Sequence, residues 1–457
     1  MKMKISYGIK LKNIAMASHR AIGSTISIYN EACEYIANVV YNEWSQVSLE
    51  TTLKYREHVV EKLIHSTKQN PNPKYKDFDT MFYKFPSYLR RSAIDSAIGS
   101  VSSYMSNLEN YENERYDKIS NGMKFKKKRP VFNTKINKYP TLFKSNMFNR
   151  LDENTVEIKL FKNNDWVWVK CGLRNQDVKY IKKNCLNMKE FSPTLEKSGT
   201  GYKLRFTYEK TVDFNKVSSI CDRKILAVDL GVNTSAVCSV VNGNGTVLGR
   251  KFIDIPREKD LMYRLINRVS KLQKQSGSKA KLKNIWVKIG NLKKEITSKV
   301  SSMILSFAME QNVEVIVFER LGVMKLRGFG AKKNRRKVQN WNKKTIINKV
   351  CAKAHTVGIR YSVVNPKNTS ALAFDGSGKI VRDKSNVSLC TFTTGKRYNS
   401  DLNASYNIAA RYFIREYQKS ASESKWSEVL AKVPELLSRT NTTLASLISL
   451  VKVFRTA

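Results

Sequence analysis

The sequence predicts an α/β domain in its second half, carried behind a helical segment and a smaller β-rich one. Three observations predict it. From about Lys224 onward, apolar strand-like runs alternate with helical stretches dense in Lys and Arg. From about Ala15 to Tyr116 the apolar residues recur at helical spacing. Between the two lie TVEIKLF, DWVWVKC and YKLRFTYEK, whose β-branched and aromatic residues suit a pleated, half-buried surface.

Within the helical segment, SAIDSAIGSVSSYMSNLENY from Ser92 to Tyr111 carries the periodicity, and NPNPKYKD around Asn70 to Asp77 interrupts it as a turn. The basic run MKFKKKRP follows, from Met123 to Pro130. Standing alone such a run is a solvated loop. Between a helical lobe and a β-domain of a basic chain, its Lys124, Lys126, Lys127, Lys128 and Arg129 become candidates for phosphate contacts. Trp166 and Trp168 alternate along one strand and share a face, where they could stack on bases or pack in the core. In the second half, KILAVDLG, GTVLGRKF, VEVIVFE and IRYSVVN supply strands. DLMYRLINRVSKLQKQ, a turn at GSK, and NIWVKIGNLKKEITSKVSSMILSFAME supply a long basic helical stretch, and DLNASYNIAARYFIREY begins a last helix at Asp401.

A chain of 457 residues with 41% hydrophobic content can bury a substantial core in two or three domains. Its charge narrows the partner. Lys and Arg number 82 against 38 Asp and Glu, a formal +44 spread from Lys2 to Arg455, and a polyanion relieves that self-repulsion. No apolar run approaches the roughly 18 residues of a spanning helix, so no membrane role is expected. The start, MKMKISYGIKLKN, lacks the apolar stretch of a secretory signal, and the seven cysteines include no C-x-x-C pair. Reduced thiols and a cytoplasmic location are the expectation.

Three acids carry the chemistry. In ILAVDLGVNTS an apolar strand delivers Asp229 at its C-terminal end, with Gly231 allowing close backbone approach. VEVIVFERL repeats the design and ends on Glu319, and Asp401 opens the last helix after TTGKRYNS. Each has an ordinary explanation: a turn residue, a surface ion pair, an N-cap. Together they match phosphodiester hydrolysis by two divalent ions, which needs one carboxylate between the ions and others on each. Magnesium, or manganese in its place, takes hard oxygen ligands of this kind and leaves positions for water and phosphate. The basic surroundings are expected to keep the carboxylates ionised. His19, His58, His65 and His355 are too dispersed for a histidine-led metal site.

VDLGVNT, VFERL and DLNASYNIAAR resemble the three RuvC motifs of TnpB proteins, transposon-encoded RNA-guided nucleases close to the miniature type V CRISPR effectors. The resemblance implies a bilobed molecule. Residues 1–14 would be the first strand of a small β-barrel wedge domain, 15–122 a helical recognition lobe, 123–215 the rest of the wedge, and 216–457 an RNase H-like RuvC nuclease domain. It further implies a guide RNA, a double-stranded DNA target opened to a single strand, and cleavage at Asp229, Glu319 and Asp401 with two Mg2+ ions. The setting would be the prokaryotic cytosol or nucleoid, and the active particle a monomer or homodimer. Asn403, in the same helical turn as Asp401, would help to hold that acid. GVMKLRGFGAKKNRRKVQNW resembles the segment that lies over the family's active site, which makes Lys332, Lys333, Arg335, Arg336 and Lys337 further phosphate-contact candidates.

One departure stands out. Where the family carries a zinc ribbon, residues 365–398 keep the frame with only Cys390, and tetrahedral zinc takes four N or S ligands. No zinc is expected, and packing through Phe374 and Phe392 would hold the segment. Three rivals remain: a silent guide-directed DNA-binding repressor, a guide-independent RuvC-like nuclease such as a junction resolvase, and an RNA chaperone. The repressor has no need of the acids, the second leaves the basic first half without a role, and the third leaves the acids without one.

Overall fold

A computed structural model describes residues 1–135, 137–214, 219–275, 279–320, 342–383 and 385–456. It divides into two compact units, Lys2–Lys210 and the chain from Thr211 onward with Met1.

In the first unit, β1 (Lys2–Lys12) turns Lys2, Lys4, Lys10 and Lys12 to solvent and buries Ile9 and Leu11, as the period of a strand dictates. Its longer helices here are α1 (Met16–Asn42), α2 (Leu53–Ile64) and α3 (Ser87–Ser120), beside short helical segments at Trp44–Leu49 and Asp77–Met81. The Thr52 hydroxyl caps α2 by accepting from Tyr55 N at 3.4 Å. After them come β2 (Phe148–Arg150), β3 (Thr155–Lys162), β4 (Asp165–Leu173), α4 (Asn175–Cys185), β5 (Lys189–Glu190), β6 (Thr194–Ser198) and β7 (Gly201–Thr211). The strands form one sheet in the order β2-β3-β4-β1-β7-β5, with β6 on β7. Helices and sheet share a single apolar core, from Ile9 through Ile36 and Ala93 to Phe206. Near the two ends of this sheet, Thr141 forms an isolated antiparallel bridge with Thr194 of β6, flanked by Leu142 N to Pro193 O and Leu195 N to Pro140 O, and Arg150 of β2 pairs with Glu190 of β5.

In the second unit, β9 (Ala236–Asn242) pairs antiparallel with both β8 (Lys224–Asp229) and β10 (Val247–Ile253), and β11 (Val315–Glu319) pairs in parallel with β8 and with β12 (Arg360–Val364). The order is β10-β9-β8-β11-β12, so β8 is central. The helices are α5 (Pro256–Gln275), α6 (Lys279–Glu310), α7 (Lys343–Thr356), α8 (Ser400–Ser420), α9 (Glu423–Lys432) and α10 (Leu444–Thr456). Alternate residues of β8 enter different cores. Ile225 and Ala227 pack with Tyr406 and Phe413 of α8, while Leu226 and Val228 pack with Val300 and Ile304 of α6 and Val350 of α7. A sheet covered on both faces needs apolar residues on both, which is why ILAV is continuous.

The same burial corrects the sequence reading, which had four strands here. β9 is a fifth, and AVCSVV is buried throughout, so no alternation marks it as a strand. Helices α5 and α6 meet through Met262, Val269, Ile285, Ile289 and Leu292. Residues 365–398 contain a three-stranded sheet of β13 (Val381–Arg382), β14 (Leu389–Thr391) and β15 (Arg397–Asn399). Its small core holds Ala373, Cys390 and Phe392, with Phe374 edge-on to Phe392 at 5.5 Å. Among the described residues no helix is long and apolar enough to cross a membrane.

Candidate active site

Strands β8 and β11 are paired in parallel with Val228 opposite Phe318. The next residue of each, Asp229 and Glu319, therefore leaves the sheet beside the other. Helix α8 brings the third acid. Its N-cap is Asn399, whose side chain accepts from Asp401 N at 3.1 Å and Leu402 N at 2.9 Å. Asp401 is thus not the cap, and its carboxylate, apart from a 3.4 Å bond from the Ser400 hydroxyl, faces the cleft. Asp229, Glu319 and Asp401 line one cleft with Gly231, Asn233, Ser370, Arg382 and Ser388.

The basic surroundings are expected to favour the ionised acids, but the pKa values of all three are shifted upward. Burial raises the Asp229 carboxyl well above the usual carboxylate range, and the nearby Glu319 and Asp401 raise it further, against the pull of Arg382. Glu319 is raised by burial against the Thr369 hydroxyl and the cations Arg411 and Lys343. Burial also raises Asp401, opposed by Arg382 and Ser400. Desolvation and like charge outweigh the cations because the carboxylates stand inside the fold while most of the +44 stands in solvent.

A carboxyl whose folded pKa lies above its unfolded value binds protons more tightly when folded. Its contribution to stability is complete below the unfolded value, about 4, and is lost as pH rises through the folded one. The metal-free protein is expected to lose melting temperature as pH rises from about 4 toward neutrality on account of this cluster. Asp229→Asn should raise the neutral-pH melting temperature and flatten that fall; an unchanged profile would refute the electrostatic picture.

The donor chemistry, three carboxylates lining one cleft, suits a hard divalent cation, and such a cation would relieve their mutual repulsion. Among the described residues no three His, Cys, Asp or Glu side chains form a ready cage for a single ion.

Gly231 has the close approach expected of it. A Cβ there would stand 2.6 Å from the Thr234 carbonyl oxygen and 3.8 Å from Asp401 Oδ2. Gly231→Ala must displace backbone, so a stability loss of about 1–3 kcal/mol in urea unfolding is expected. Full stability in that variant would show the loop to be compliant.

Sequence reasoning missed Arg382, which reaches the cleft from β13 and donates to Ser370 O at 3.5 Å, and Thr369, whose hydroxyl donates to Glu319. Asn403 differs from its expected role. It is fully buried and binds Leu372 O and Phe374 N, both at 2.8 Å, rather than Asp401.

A family model described as the Aq_aa04 family matches residues 5–162. TnpB-like protein aq_aa05 of Aquifex aeolicus (strain VF5) is 26% identical over 235 residues, which cover 47% of this chain and 76% of that one. The chain is a distant TnpB-like homologue. Among solved structures, that of the mini-RNA-guided endonuclease CRISPR-Cas_phi3 matches with a TM-score of 0.54 at 11% identity, covering 89% of this chain and 92% of that chain. The chain therefore shares its mixed α/β fold with that structure. A Cas12f1-sgRNA-target DNA complex overlaps at a TM-score of 0.32 and 13% identity, over 89% of this chain and 98% of that one, too loosely to bear weight.

The basic candidates of the TnpB-like chain divide. Lys127 pairs with Glu114 of α3, and Arg129 Nε stands 3.4 Å from Glu112. Lys124, Lys126 and Lys128 are exposed. Lys332, Lys333, Arg335, Arg336 and Lys337 lie outside the described residues. Trp166 is 8% exposed and packs edge-on to Phe85 at 5.8 Å, whereas Trp168, opposite Lys159 on the same sheet face, is 39% exposed.

Proposed function

We propose that this TnpB-like chain is an RNA-guided DNA endonuclease of a transposable element, with an RNase H-like RuvC centre at Asp229, Glu319 and Asp401. One observation carries the reading: three acids from two strand ends and a helix start line a single cleft in a chain of formal charge +44. A protein that only binds nucleic acid gains nothing by turning carboxylates toward phosphate.

Asp229, Glu319 and Asp401, which line the same cleft, would together hold two Mg2+ ions. When bound, the ions would supply Lewis-acid stabilisation of the attacking and leaving oxygens. The chain's own groups do the rest. Arg382, facing the cleft, offers its guanidinium to a phosphate oxygen. Trp168, beside Lys159 and Lys170, offers a face for an unpaired base. Exposed lysines such as Lys126 neutralise backbone phosphates of the guide and the hybrid, while base pairing selects the target.

The absence of a ready single-ion cage among the described residues is what a silent guide-directed repressor would also display. Guidance is tested first, by sequencing the RNA that copurifies with the full chain. A discrete RNA encoded beside the element supports guidance, and bulk cellular RNA or none would leave a guide-independent nuclease. Cutting by the same preparation then separates nuclease from repressor.

A further inference from the structure

Asn403, Asn407 and Arg411 recur every fourth residue along α8 and so share one face. They are 0%, 0% and 6% exposed, in a helix whose buried residues are otherwise mostly apolar or small. Polar groups so placed must find partners, and all three find them in the segment that leaves β12. Arg411 donates to Asn365 O at 2.7 Å and Lys367 O at 2.6 Å. Asn407 donates to Thr369 O at 3.0 Å and Leu372 O at 2.9 Å. Asn403 donates to Leu372 O and accepts from Phe374 N, both at 2.8 Å. Residues 365–374 are thereby fastened to the helix that carries Asp401.

Inside that fastened segment Thr369 is 1% exposed, and its hydroxyl donates to Glu319 Oε1 and lies 2.9 Å from Pro366 O. A carboxylate at the end of a strand is free to rotate about its side-chain torsions. A buried hydroxyl whose backbone is held from another element removes that freedom.

We propose that Thr369 is a positioning residue for Glu319, with Asn407 setting its position through the Thr369 carbonyl, so that α8 aims the second acid as well as bearing the third. This rests on Glu319 being a metal ligand, and outer partners that orient a ligand commonly govern metal affinity. Thr369→Val keeps the side chain's shape and deletes the hydroxyl, while Thr369→Ser keeps the hydroxyl.

The test uses the full chain with its copurified RNA. The readouts are Mn2+ binding by electron paramagnetic resonance, the Mg2+ concentration for half-maximal cutting, and melting temperature. Valine should weaken Mn2+ binding and raise the Mg2+ midpoint by about tenfold, with target binding unchanged and serine close to parental. Valine with parental Mn2+ binding and Mg2+ midpoint would overturn the inference, as would serine behaving like valine. If valine only lowers the melting temperature, Thr369 is a packing residue and the inference is wrong. A parental protein that neither binds Mn2+ nor cuts would instead remove the reading of the acids, and this inference with it.

Discussion

Asp229→Ala is expected to abolish cleavage of a guide-matched duplex while leaving guide and target binding near parental levels. Asp229 ends the central strand β8, and both other acids act on it electrically. Its loss would remove one of the three carboxylates that would hold the ions, and with it the stabilisation they would supply to the attacking and leaving oxygens. A rate loss of at least about a thousandfold, roughly 4 kcal/mol of transition-state stabilisation, follows. Because the carboxyl is buried and repelled, its removal should not unfold the protein. Cutting at the parental rate would place the centre elsewhere.

Arg411→Met is expected to produce the largest loss of stability. The Arg411 side chain is 6% exposed and donates to Asn365 O, Lys367 O and Thr440 O at 2.6–2.7 Å, with Thr442 O at 3.5 Å. Burial lowers its pKa to about 10, opposed by Glu319, so it remains a cation at neutral pH. Methionine fills similar space but offers no donor, and an unsatisfied buried carbonyl costs about 1–3 kcal/mol. With partial rehydration the sum should be about 4 kcal/mol in urea unfolding. Arg411→Lys should recover only part of it, because an ammonium cannot reproduce the planar fork. A loss under about 1 kcal/mol would mean that water replaces the guanidinium without cost.

The sequence foretold the parts of the site that lie along the chain, and much less of what lies across it. Asp229 and Glu319 were visible because each ends an apolar run, and a strand buried on both faces must be such a run. The same double burial hid β9, since AVCSVV has neither alternation nor helical spacing to mark it. Asp401 was visible in its motif, but its freedom from capping depended on Asn399, two residues earlier. The direction of the shift was misjudged because a net count carries no information about depth. Lysines in water cannot offset three acids held inside the fold.

Thr369 stood in a polar stretch with no motif of its own, and only tertiary structure brings it to Glu319. Asn403, Asn407 and Arg411 did leave a signal: polar residues every fourth position among neighbours that are mostly apolar or small. That spacing says one face is buried against something polar, not that the partner is the backbone after β12. Trp166 and Trp168 shared a face as expected, and Trp166 is covered both by its cross-strand neighbour Phe161 and by Phe85, far away in sequence, while Trp168 is 39% exposed.

The most direct test of the central claim is cleavage of two DNA duplexes by the full chain with its copurified RNA, one matched to that RNA and one mismatched, with Mg2+ and with chelator. The account predicts that only the matched duplex is cut, only with Mg2+, and not by the Asp229→Ala protein. Matched DNA that is bound but left intact, or both duplexes cut alike, would contradict it.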